Sequence, residues 1–341
     1  LEMITKYNRD SFKYLIFFLI ILASFYRSPY IFLNSRFVAE EGFTFFEYIW
    51  EKGFFKGLFF FDSFAGYLNL IANILVSISS LMKIEYSPYI TVYGSLIFIL
   101  LPVYFILFRE SELFNTDLKK YIGSLLVFIT PPLVPEVWVN SINSQVYLCI
   151  IAIIILFMIN LNNIQRKINY LIIFIAGLSG VYTCCLLPLF FINYFMKRNL
   201  YNFINFIIIL FSTLLQFYFV LRSKINNHLM EKVLVADLDF NIYINYVYNI
   251  LAKPIFGRQI THFIWNDMIN LIPGINYFYL FLIIFFILII FLFYNYKNLH
   301  FVLMKNKTLI YLMYIFFTIS VLFLIGAAGD YVGGRYAVIP G

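Results

Sequence analysis

Charge is what this sequence has least of. Asp, Glu, Lys and Arg make up 12% of its 341 residues, while 63% are apolar and 22% aromatic. That much apolar surface, recurring along the whole length, excludes a soluble domain with one anchor and implies an all-α polytopic membrane protein. Cysteine is also scarce. Cys149, Cys184 and Cys185 all lie in apolar segments, which excludes a disulfide framework and a zinc pattern. His228 and His262 stand alone in one loop, without a His or Cys at ligand spacing. There is no phosphate-cradling glycine loop, no nucleophile elbow and no zinc-protease motif. The formal charge of +7 raises the question of nucleic acid. The basic residues fall mostly in short loops between apolar runs, so topology accounts for them and no nucleic-acid partner is expected. The first apolar run has no small-residue cleavage site, which makes it a retained span.

Nine apolar runs are expected to be spans: 14–30, 89–108, 121–134, 146–161, 168–178, 184–195, 201–221, 278–294 and 308–325. The stretch "FAGYLNLIANILVSISSLM", 64–82, is long enough to be a tenth. Gly66, Asn69, Asn73, Ser77 and Ser80 recur along it at three- and four-residue spacing. That polar stripe predicts a helix lying at the interface or against a cavity. With 64–82 left uncrossed and the N-terminus cytoplasmic, 13 of the 24 basic residues fall on cytoplasmic segments, against Glu2, Asp10, Glu110, Glu112 and Asp117. This obeys the positive-inside rule. Loops 31–88, 135–145, 222–277 and 326–341 then lie outside, and function is expected there. The expected location is the cytoplasmic membrane of a bacterium, with an extracytoplasmic active site. The final "RYAVIPG" leads us to expect a longer polypeptide.

Four clusters on that outer side carry candidate chemistry. Glu40 and Glu41 follow the first span directly and precede Gly42. A desolvated carboxylate is costly unless it binds a cation or handles a proton. The following "FEYIWEKGFFKGLFFFD" reads as an amphipathic interfacial helix. In "TPPLVPEVWVNSINSQVYL", Glu136, Asn140, Asn143 and Gln145 stand at the next outer mouth, where amides suit sugar hydroxyls. In "GDYVGGRYAVIPG", Arg335 follows two glycines and could hold a phosphate bidentately or snorkel to the interface. Lys253, Arg258 and Asp267 in loop 222–277 are available to a charged substrate or to solvent.

The order of these features resembles the GT-C glycosyltransferases, integral membrane enzymes that use polyprenyl-phosphate-linked sugars. The residues carrying the resemblance are Glu40-Glu41-Gly42 after the first span, Gly66-Tyr67-Leu68 opening the 64–82 segment, Glu136, and Arg335-Tyr336 with Pro340. The first loop has Glu where that family usually has Asp, and "DSFAGYLNL" stands where a "PPL" motif is common. The likeness is therefore to divergent bacterial members that decorate surface glycans. It implies a single transmembrane domain over 1–341 and an inverting transfer from a polyprenyl-phosphate donor to a glycan, lipid or protein acceptor. Glu40 or Glu41 would be the general base. Arg335, Tyr336, Asn140, Asn143, Gln145, Tyr67, Asn69, Lys253 and Arg258 would bind substrate. A divalent cation, Mg or Mn, is a candidate cofactor at Glu40, Glu41 and Glu136.

Two other readings remain open. A lipid-linked-glycan flippase or transporter predicts paired charges inside spans and internal repeats. Apart from Arg27 near the end of the first span, the spans hold almost no charge. A polysaccharide polymerase or ligase would also use outer arginines and lipid-linked donors, without needing the acidic first loop.

Overall fold

The computed structural model describes residues 2–38, 40–63, 65–129 and 138–225, with the backbone alone for 2–9 and for 224 and 225. All belong to one unit, Leu1–Glu231. The spans expected at 278–294 and 308–325, and the candidate residues Glu136, Lys253, Arg258, Arg335 and Tyr336, lie outside the described residues, whereas Glu40 is described, half-buried and directly before the π-helical turn that starts at Glu41.

The described chain is helical. α1 (Glu2–Arg27) stops at Ser28, and Pro29 restarts the chain as α2 (Pro29–Leu33). A π-helical turn (Glu41–Phe46) leads into α3 (Glu47–Lys52) and α4 (Phe54–Leu58). The single amphipathic helix expected here is cut in two at Gly53, whose φ of +85° lies in the left-handed region that breaks a helix.

A two-stranded antiparallel hairpin follows, β1 (Phe61–Asp62) with β2 (Tyr67–Leu68). It corrects the expectation of one helix through 64–82. The Gly66 amide bonds back to the Asp62 carbonyl and closes the hairpin. Asn69 then caps α5 (Leu70–Ser79), accepting from the Ala72 amide. At ten residues, α5 is about 15 Å long, half the thickness of a hydrocarbon core.

The remaining elements run back and forth: α6 (Ser87–Phe108), α7 (Asp117–Ile129), α8 (Ser144–Leu156), α9 (Asn163–Leu178), a 3₁₀ turn (Cys184–Leu186), α10 (Leu187–Lys197) and α11 (Leu200–Ile225). Among the described residues two helices are long and apolar enough to cross a membrane, Ser87–Phe108 and the part of α11 from Leu200 to Ser223. α6 packs against α1, α2, α5, α7 and α8. The core between them holds Val92, Leu96, Ile99, Val103, Leu107, Phe128, Trp138 and Tyr147. α9 and α11 approach closely because Gly177 meets Ser212: a Cβ on Gly177 would stand 2.6 Å from the Ser212 Cβ.

These reversals sort the connections into two ends. At one end the Glu112 amide bonds to the Phe157 carbonyl and the Ile159 amide to the Glu110 carbonyl. Lys13 pairs with Asp117, and Lys197 with Glu112, both at 3.6 Å. This end carries the ordinary basic connectors around Lys119, Lys120, Arg166 and Arg198. The other end gathers the π-helical turn, the hairpin, residues 138–143 and residues 179–183.

The helices invert the pattern of a soluble protein. α11 exposes Phe203, Ile207, Phe211, Leu214, Phe217 and Leu221 on one face and buries Asn202, Asn205, Ser212, Gln216 and Ser223 on the other. α1 likewise exposes Leu15, Phe18, Leu19 and Leu22 while Ser24 is buried. Buried hydroxyls bond back to their own helices, as Ser95 does to the Thr91 carbonyl and Ser24 to the Ile20 carbonyl.

Candidate functional site

The site begins at Glu41, the first residue of the π-helical turn. It is only 1% exposed. Its Oε1 accepts a 2.6 Å bond from the Ser141 amide and its Oε2 a 3.1 Å bond from the Val38 amide. The buried Ser141 hydroxyl stands near the same carboxylate and favours its charge, short of a formal hydrogen bond. Burial nonetheless dominates and raises the Glu41 carboxyl above its ordinary range, while the bonds from Ser141 and Val38 pull it the other way. With both oxygens held by backbone amides, Glu41 is placed as an anchor between the first loop and residues 138–143. A π-helical turn at this point is the kind of irregularity that accompanies functional sites.

Residues 138–143 are shaped to receive it. The Asn140 Oδ1 accepts from the Ile142 and Asn143 amides, and its Nδ2 donates to the Val38 carbonyl at 3.4 Å. The Ser144 hydroxyl donates to the Asn140 carbonyl. Next to Asn140, Val139 has φ +51°, a strained conformation for a β-branched residue that persists only when its surroundings enforce it. On the other side of Val139, the Trp138 ring lies under Arg27, with the guanidinium carbon 4.3 Å from the ring centroid. Arg27 also donates to the Phe128 and Ile129 carbonyls and so caps α7.

The hairpin and α5 complete the arrangement. The Asn69 Nδ2 donates to the Ile142 carbonyl at 3.0 Å. The Tyr67 hydroxyl accepts from the Gln145 Nε2 at 3.1 Å. The polar stripe of α5 therefore faces protein: Asn73 donates to the Leu58 and Phe60 carbonyls, and Asn69, Asn73 and Ser77 are all buried. The structure thus brings Glu41, Tyr67, Asn69, Asn140, Asn143 and Gln145 to one end of the bundle. Direct bonds link Tyr67 to Gln145, and residue 142 to both Asn69 and Asn140.

Three organising residues were not foreseen. Gln216 on α11 exchanges two bonds with Leu68, its Oε1 accepting from the amide and its Nε2 donating to the carbonyl, and so pins β2. Ser179 donates to the Ile175 carbonyl and accepts from the Ile71 amide. Gly180, at φ +106°, lies against Gln145: a Cβ there would stand 1.7 Å from the Gln145 Oε1. A lone amide in an apolar run was the available signal for Gln216.

Among the described residues no group of three or more His, Cys, Asp or Glu could hold a metal ion. Of the expected cation set, Glu40 and Glu41 are among the described residues and Glu136 lies outside them. Compared with models of known protein families, with curated proteins and with solved structures, the chain matches none.

Proposed function

We propose that the chain is a multi-pass membrane enzyme of GT-C type, an inverting glycosyltransferase working on a polyprenyl-phosphate sugar at the outer face of a bacterial cytoplasmic membrane. Membrane embedding is supported by the inverted faces of α11 and α1, because apolar side chains turned outward and amides turned inward suit a lipid solvent. Sorting of the basic connectors to one end supports a cytoplasmic assignment for that end.

The observation that carries the enzymatic reading is the bond from Ser141 to Glu41. It joins the acidic first loop to the Asn140–Gln145 segment at the end of the bundle opposite the basic connectors. In the proposed reaction, a carboxylate takes the proton of an acceptor hydroxyl as its oxygen attacks the anomeric carbon. The bond from that carbon to the phosphate oxygen breaks, and the polyprenyl phosphate leaves as an anion. General-base help of this kind contributes about 10² to 10⁴-fold. The buried anchoring role of Glu41 leaves Glu40 as the base of the pair. Arg335, Tyr336, Lys253 and Arg258 are assigned to the phosphate, and Asn143, Gln145 and Tyr67 to the sugar. A divalent cation at Glu40 and Glu136 would supply further charge neutralisation.

The test is turnover of polyprenyl-phosphate sugars by the purified chain and by Glu40→Gln. Loss of turnover with unchanged thermal unfolding supports the assignment. Full activity of the variant overturns Glu40 as base, and inactivity of the unmodified chain on every donor tried overturns the enzymatic reading. External labelling of a cysteine placed at Asn115 would overturn the orientation.

A further inference from the structure

The proposed reaction leaves one cavity unused. Phe43, Thr44, Glu47, Tyr48, Glu51 and Phe60 line a shallow depression of about 270 Å³ on the π-helical turn, α3 and the residues before β1. Its wall is aromatic: Tyr48 and Phe60 stack with centroids 4.2 Å apart, and Phe45 meets Phe60 edge-on at 5.3 Å. Glu47 and Glu51 are exposed and stand one helical turn apart. Like charges at that spacing weaken a helix, so the pair is a local cost that a bound cation would relieve. Glu51 has Lys52 at 3.7 Å, an exposed contact that solvent screens. An ammonium group in the depression would be attracted by both carboxylates and by the ring faces. A neutral ligand would gain neither attraction.

The surroundings identify where such a group would come from. Trp50, Phe55 and Phe59 are exposed on the same segment, and Lys52 and Lys56 stand among them. Aromatic and basic residues so interleaved mark an element at lipid-headgroup depth. We propose that this depression binds the ammonium group of a zwitterionic phospholipid headgroup, with Lys52 and Lys56 as counter-charges for its phosphate. The two signs of charge on α3 and α4 match the two signs carried by one headgroup. The inference rests on the membrane reading, and not on the glycosyl-transfer reading.

Native mass spectrometry of the full chain in neutral maltoside micelles tests it. The chain is titrated with phosphatidylethanolamine and with its N-acetylated derivative, which keeps the phosphate and lacks the cation. Phosphatidylethanolamine should bind roughly ten-fold more tightly, the size expected of one exposed cation–π contact with one exposed ion pair. The double variant E47Q/E51Q, altered only at exposed positions, should lose that preference. K52Q/K56Q should weaken both lipids alike. Equal binding of the two lipids, or a preference that survives E47Q/E51Q, overturns the proposal. Millimolar ethanolamine is the second arm. Displacement of phosphatidylethanolamine by it supports the site. Ethanolamine binding without any lipid preference assigns the depression to a soluble amine and overturns the lipid. Alkaline extraction of the chain from membranes would instead strike the membrane reading itself.

Discussion

Glu41 and Ser141, a hundred positions apart, are joined by a 2.6 Å bond from the Ser141 amide to the Glu41 carboxylate. The other carboxylate oxygen accepts from Val38, so one buried side chain holds two loops together. Replacing it with alanine leaves the buried Ser141 amide without an acceptor, at about 1–3 kcal/mol, and the half-buried Val38 amide without its bond to the carboxylate. Glu41→Ala should therefore lower the thermal midpoint of the detergent-solubilised chain by several degrees. An unchanged midpoint would remove the anchoring role.

The same carboxylate has a pH signature. Burial raises its folded-state value above the ordinary carboxylate range, so the folded chain binds the proton more tightly than the unfolded chain. Its contribution to stability is then fully present below the ordinary value and is lost as pH rises through the raised one. Stability should fall across that window on going up in pH, and the corresponding part of the slope should vanish in Glu41→Ala. Denaturation followed at several pH values checks the sign. A rise in the Glu41-dependent part with pH would contradict it.

Gly180 tests the packing of the site. A methyl group there would overlap the Gln145 amide oxygen, and φ +106° is unfavourable for any side chain. Gly180→Ala should expel Gln145 from its bond to Tyr67 and destabilise the chain by about 2 kcal/mol or more, the sum of strain and a lost buried bond. Gly180→Ala combined with Gln145→Ala should recover part of that loss, since the overlap disappears. Thermal unfolding of both variants measures the difference.

Gln216 holds the hairpin by two bonds to Leu68. Gln216→Leu keeps the volume but leaves a buried N–H and C=O of Leu68 unpaired, at about 1–3 kcal/mol each. Amide hydrogen exchange at Leu68 should accelerate markedly, with little change at the centre of α6. Equal protection in both proteins would show that the hairpin stands without α11.

Much of the helical content could be read from composition and run length. The helices α6 and α11 fall on the apolar runs 89–108 and 201–221, because runs of that length bury their own backbone bonds only as helices. The polar stripe around Asn69, Asn73 and Ser77 was legible too, and α5 carries it. What it faces was not: the three side chains meet the Ile142, Leu58 and Phe60 carbonyls and neighbouring protein, contacts made by segments distant in sequence. The break at Gly53 and the hairpin at Gly66 were missed because apolar periodicity runs straight through both.

Sequence alone determined that this chain is strongly apolar, poor in charge and mainly helical over its described residues, because solvation of apolar residues and of backbone groups depends on local composition. It also marked Glu41 as a carboxylate in a costly place, and Asn140 and Gln145 as amides at the mouth of the next outer loop. Tertiary structure alone decided their tasks. The Glu41 carboxylate became a clamp because the amides of Val38 and Ser141 converge on it, and Gln145 reached Tyr67 because Gly180 left room beside it. A buried polar group is defined by its partners, and those partners are chosen by the packing of helices and not by the neighbours along the chain.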